Sequence, residues 1–168
     1  TEKAMALGLV LMGVFFRLLP HPENFTPTMA IAVFAGVVLP AALSLTIPLV
    51  IMVISDCVIG FHPLFLVIWF SFFLVSLIGN RIRNSAGWLS VSAATMAGSL
   101  MFFVISKLSV FLFQNMYAKT WAGLAECFTM ALPFFRNSFI ADVFYCFALF
   151  GLFALARSAY RKVAYARS

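Results

Sequence analysis

The stretch TMAIAVFAGVVLPAALSLTIPLVIMVISDCVIGF, Thr28 to Phe61, is apolar almost without interruption. A membrane crossing takes about 20 apolar residues, so this run is too long for one helix spanning once. Pro40 and Pro48 each lack a backbone donor and clash with the preceding turn, which breaks a helix. The stretch therefore predicts two spans, 27–43 and 46–61, joined by a tight turn. Its one charge, Asp56, falls about a turn before the end of the second.

The rest of the chain is equally greasy. Of its 168 residues 64% are hydrophobic and 10% charged, and the mean hydropathy is +1.09. Soluble domains are about half apolar and a quarter charged. The predicted class is all-α: one polytopic transmembrane domain, a six-helix bundle with a lipid bilayer as its solvent. The net charge of +6 does not point to nucleic acid, because the cations sit at the ends of apolar runs rather than on one aromatic-studded face.

Toward the N-terminus, a first span over 4–19 stops at Pro20. No small-residue cleavage site follows its apolar core, so it reads as a retained span rather than a signal peptide. Ala4 and Gly8 form a small-xxx-small step, which lets another helix backbone approach. Toward the C-terminus, further spans are expected over 64–79, 88–113 and 138–156. The segment 120–134 is apolar but carries Glu126 and Pro133. It predicts an interfacial or re-entrant helix covered by protein, a seventh span being the alternative.

Six spans with cytoplasmic termini put Lys3, Arg81, Arg83, Arg157, Arg161, Lys162 and Arg167 inside. Arg17, Lys107, Lys119 and Arg136 fall outside. That bias follows the positive-inside rule, and a seventh span would move the basic tail outside. The expected location is a bacterial cytoplasmic membrane. On this topology the acids other than Glu2 gather on the outer half with His21 and His62. Mixed charges at one end of a bundle must pair or face water or a ligand, so an outward-facing pocket is expected.

The connection RLLPHPENFTP (17–27) concentrates polar groups between three prolines. Arg17, His21 and Asn24 are candidate ligand contacts; Pro20, Pro22, Glu23, Phe25 and Pro27 would form a stiff gate. Asp56 and His62 are expected near one mouth as a ligand or proton site, or as a pair joining helix ends. Arg136, Asn137 and Asp142 offer a guanidinium fork, an amide and a carboxylate; the bland alternative is an ion pair of Arg136 with Asp142 or Glu126. Cys57, Cys127 and Cys146 lack metal or redox spacing and read as buried free thiols. No cofactor, metal site, catalytic set or phosphate-binding loop is visible, so an enzyme is not expected.

The strings RLLPHPENFTP (17–27), SDCVIGFH (55–62) and LPFFRNSFIAD (132–142) resemble an uncharacterised family of small bacterial membrane proteins, a domain of unknown function. That family is similar to the substrate-capture (S) components of energy-coupling-factor (ECF) transporters. The resemblance implies a six-helix bundle that binds a vitamin-like micronutrient near its outer face, with the connection after the first helix as gate. It also implies docking of the first helix, at Ala4 and Gly8, on an ECF coupling subunit that works with ATPases. The expected function is capture of a small micronutrient for uptake with an energising partner. The alternative is a structural subunit that meets other proteins of a membrane complex.

Overall fold

The computed structural model describes residues 2–22 and 24–166. Glu23 of the expected gate and Arg167 of the basic tail lie outside the described residues. The fold is all-helical: α1 (Glu2–Leu18), α2 (Thr28–Val38), α3 (Ala41–Ile59), α4 (Phe65–Ile82), α5 (Trp88–Phe113) and α6 (Trp121–Ala166), with one 3₁₀ turn at Arg83–Ser85. Four segments are long and apolar enough to cross a membrane: Ala41–Ile59, Phe65–Ser85, Trp88–Phe113 and Trp121–Tyr160. A lipid bilayer suits such a surface. By contrast α1 carries Glu2, Lys3 and Arg17 within 17 residues. The 11 residues of α2 rise only about 16 Å, roughly half of a hydrocarbon core.

Two expectations about breaks are corrected. Pro40 does end a helix, standing extended (φ −51°, ψ 147°) between α2 and α3. Pro48 does not; it lies inside α3. The hydroxyl of Ser44 donates to the Ala41 carbonyl at 3.0 Å, and that of Thr46 to Ala42 at 3.0 Å and Leu43 at 3.1 Å. These carbonyls keep their helical donors as well; the one that Pro48 leaves without a donor is that of Ser44, a single lost bond that the packing of α3 against α1, α2 and α4 offsets. The expected division near residues 43–46 therefore sits at Pro40. Likewise no separate helix covers 120–134: those residues begin α6, which runs through Pro133 for 46 residues.

The short helix α2 is the centre of the bundle, in contact with α3, α4, α5 and α6. Every residue from Thr28 to Gly36 is buried, as a helix apolar on all sides requires. Its approach to α4 is fixed by two glycines. A Cβ on Gly36 would stand 2.7 Å from Gly79 Cα, and one on Gly79 2.6 Å from the Val33 carbonyl oxygen. Backbone occupies both places, so neither can yield. Ala4 and Gly8, by contrast, are exposed on α1, and a Cβ on Gly8 would meet nothing within 4 Å.

α1 and α3 run parallel, and α4 runs opposite to α3. The last turns of α1 and α3 and the first turn of α4 thus meet at one end, marked by Arg17. The start of α3 and the end of α4 meet at the other, marked by Arg83. At that second end α2 stops short, and Arg83 closes it: Nε and Nη2 donate to the Gly36 carbonyl at 3.2 and 3.0 Å, and Nη2 also reaches the Leu39 carbonyl. A cation on orphan C-terminal carbonyls opposes the negative end of the helix dipole. Asn80 holds the guanidinium through Oδ1 at 2.7 Å and reaches Ser44 Oγ at 2.9 Å through Nδ2.

Candidate ligand-binding site

At the Arg17 end a cavity of about 310 Å³ opens between α1, α2, α3, α4, α5 and α6. Its polar wall comes from Arg17, His21, Asn24, Thr26, His62, Ser138 and Asp142. Its apolar wall comes from Met29, Met52, Ile59, Ile68, Phe72 and Phe102. Of the residues expected to contact a ligand, Arg17, His21, Asn24, His62 and Asp142 meet here. Asp56, Arg136 and Asn137 do not line it.

Asp56 is 1% exposed and lies beneath the wall rather than in it. Arg17 Nη2 donates to Asp56 Oδ1 at 2.7 Å, and Arg17 Nε donates to Ser55 Oγ at 2.7 Å. Trp69 Nε1 donates to the remaining oxygen, Oδ2, at 2.8 Å. Both carboxylate oxygens are therefore taken, which a buried charge requires. Asp56 joins α1, α3 and α4 and fixes the guanidinium that borders the cavity. The expected Asp56–His62 pair is not formed: His62 Nδ1 accepts the Leu64 backbone N–H at 3.2 Å, ahead of α4.

Asp142, on α6, is 4% exposed. Its Oδ2 accepts from Ser99 Oγ of α5 at 2.6 Å. No described residue donates to its other oxygen, which is left to the cavity that Asp142 lines. Among the described residues the one ion pair is Arg17–Asp56. Neither the Arg136–Asp142 nor the Arg136–Glu126 bridge forms. Arg136 is exposed on α6 and Asn137 is half-buried, both about a turn or more from Asp142 along the helix.

The connection over the cavity is shaped by local contacts. His21 Nδ1 lies 2.9 Å from the Pro22 carbonyl oxygen, and the Phe25 N–H donates to the same oxygen at 3.0 Å. Asn24 adopts φ +61°, a left-handed conformation that asparagine tolerates. The Phe25 ring stands edge-on to Tyr145 of α6, 5.8 Å between centroids. Pro27 is buried at the start of α2, whereas Pro20 and Pro22 are exposed. One side of the connection is thus anchored while its tip is solvated.

The cysteines divide. Cys127 and Cys146 are buried, as expected of small hydrophobes, but Cys57 is exposed. Ser55, Trp69 and Ser99 were not among the expected site residues. An indole N–H in an apolar helix needs an acceptor, and Asp56 is the acid nearest to Trp69 in the chain, which is the available signal. Ser99 gives no such sign, being one hydroxyl among several on α5.

A family model described as a family of unknown function (DUF6580) matches residues 1–164. The chain belongs to that family. No curated protein and no solved structure matches the chain. The family has no assigned activity, so a functional reading rests on the cavity itself.

Proposed function

We propose that the cavity at the Arg17 end captures a small amphiphilic molecule. The observation that carries this reading is the division of its lining: a guanidinium, two imidazoles, an amide and a carboxylate oxygen on one side, two methionines and two phenylalanines on the other. Ligand sites combine an apolar wall with a few convergent polar groups, commonly in about 300–1,000 Å³. A volume of about 310 Å³ suits a vitamin-sized compound rather than a peptide. Arg17 and the histidines would hold an anionic or carbonyl group; Asp142 would accept a hydrogen bond from an amine or hydroxyl. The connection of Pro20, Pro22, Glu23, Phe25 and Pro27 would act as the gate, hinged at the anchored Phe25.

Micronutrient capture for uptake fits the similarity expected between the family that the motif strings resemble and the S components of ECF transporters. The chain has no phosphate-binding loop of its own, so a partner module would supply the energy. The open face of α1 at Ala4 and Gly8 offers room for a coupling subunit. On this reading the Arg17 end faces outward from a bacterial cytoplasmic membrane.

Native mass spectrometry of the purified protein tests the reading. A retained small molecule is expected, with occupancy lowered about tenfold by Asp142→Asn, the loss of roughly one charge-assisted hydrogen bond. The melting temperature should hardly change. An empty cavity, together with unaltered micronutrient uptake after Asp142→Asn and His62→Ala, would overturn it.

A second reading, a structural subunit of a larger assembly, is favoured by α6. Its 46 residues extend about 69 Å, more than twice the hydrocarbon thickness. Toward its start Trp121 is 88% exposed and Met130 62%. Co-purification of a second membrane protein at fixed stoichiometry, lost on Trp121→Glu, would select this reading.

A further inference from the structure

A second hollow, of about 710 Å³, lies at the Arg83 end between α2, α5 and α6. We propose that it binds the headgroup of one anionic phospholipid, with the acyl chains leaving along α6. The polar part of the lining is cationic: Arg83 and Arg157, with Ser158 and Gly87. The apolar part is Val37, Val38, Trp88, Phe150 and Phe153. A phosphate diester with hydrocarbon attached matches both halves; a free anion matches one.

The two arginines differ in a way that makes a clamp. Arg83 is immobilised, since Nε and Nη2 hold the C-terminal carbonyls of α2. Its Nη1 donates to no described residue and remains for a ligand. Arg157 is exposed on α6 and makes no hydrogen bond or ion pair with a described residue. Guanidinium groups grip phosphate oxygens two at a time.

A third source of positive potential adjoins them. Gly87 precedes the 26-residue α5 and, having no side chain, leaves the first-turn N–H groups of that helix without a side-chain cap. Such a helix start favours a phosphate. No carboxylate borders the hollow to neutralise these cations. Basic pockets between membrane helices select anionic headgroups in this way.

The lipid site is independent of the cavity at the Arg17 end, and its test uses the intact protein. Purified chain is delipidated, incubated with phosphatidylglycerol or phosphatidylcholine, and weighed by native mass spectrometry. One retained phosphatidylglycerol per chain is expected, with phosphatidylcholine retained at least about tenfold less. Arg157→Gln should reduce phosphatidylglycerol retention about tenfold, the scale of one lost charge-assisted contact. Lys162→Gln, which removes an exposed cation of the same helix outside the lining, should leave it unchanged. Arg157 is exposed and makes no hydrogen bond or ion pair with a described residue, so a folding defect is not expected to confuse the result. Equal retention of the two lipids, equal losses in the two variants, or displacement by millimolar inorganic phosphate would each overturn the proposal. The last two would identify general surface attraction and a free-anion site, respectively.

Discussion

Arg17 and Arg83 stand at opposite ends of the bundle, and each solves the cost of a guanidinium among apolar helices differently. Arg17 is matched by a carboxylate, Asp56, whose second oxygen is held by Trp69. Arg83 is matched by backbone, the last carbonyls of α2, with an amide steadying it. At the Arg17 end the charge is cancelled, so the cavity beside it presents hydrogen bonds of both polarities. At the Arg83 end it is offset merely by a helix dipole, and the hollow there stays cationic. On the two proposals above, the same side chain prepares one end for an amphiphile of mixed polarity and the other for an anion.

The largest effect that can break this contrast is Asp56→Ala. It leaves the Arg17 guanidinium, whose side chain is 18% exposed, without its counter-charge, and removing one partner of a buried pair costs about 3–5 kcal/mol. A marked fall in the unfolding midpoint in detergent is expected. The double variant Arg17→Met, Asp56→Leu should recover most of it, because apolar replacement of a buried pair is often neutral. Stability restored without ligand retention would show that the pair serves the cavity more than the fold. A single-variant loss below about 1 kcal/mol would mean that water reaches the pair.

Arg83→Ala comes next. It strips donors from the Gly36 and Leu39 carbonyls, each costing about 1–3 kcal/mol when left unsatisfied. Water entering from the hollow would moderate this, so about 2–3 kcal/mol in total is expected. Arg83→Lys should regain part, since an ammonium still opposes the dipole but cannot fork across two carbonyls. Ligand occupancy at the Arg17 end should be unaffected by Arg83→Lys. If it falls in parallel with stability, the two ends are coupled through α2, which touches both.

What the sequence disclosed follows the same division. Composition points to a bilayer, the long apolar runs point to helices, and the polar connection between Arg17 and Pro27 marks one end of the bundle. Arg17, His21, Asn24, His62 and Asp142 could be gathered from chain order, because each lies near the end of an apolar run. The role of Arg83 could not, since backbone carbonyls leave no trace in residue types. Asp56 was visible as a buried acid, but its partner was not: a guanidinium on α1 and an indole on α4 come together by helix packing, not by spacing. Pro48 and Pro133 misled for a related reason. A proline reports the one hydrogen bond it removes, not the packing around the helix, such as that of α3 against α1, α2 and α4, that offsets the loss. The Gly36–Gly79 approach was likewise hidden, while Ala4 and Gly8, with the more familiar spacing, face outward.

The smallest change sharpens the comparison most. Trp69→Phe removes one donor from Asp56 and keeps an aromatic ring beside Phe61 and Phe65, whose centroids lie 6.1 and 5.1 Å from that of Trp69. A hydrogen bond to a charged group contributes about 1.5–3 kcal/mol, and the low end is expected because Arg17 still neutralises the carboxylate. The unfolding midpoint should fall slightly, with the Arg17 cavity still able to hold its ligand. A loss as large as that of Asp56→Ala would show that the indole, rather than the ion pair, fixes Asp56. The Arg17 end would then resemble the Arg83 end after all: a charge held in place by uncharged dipoles.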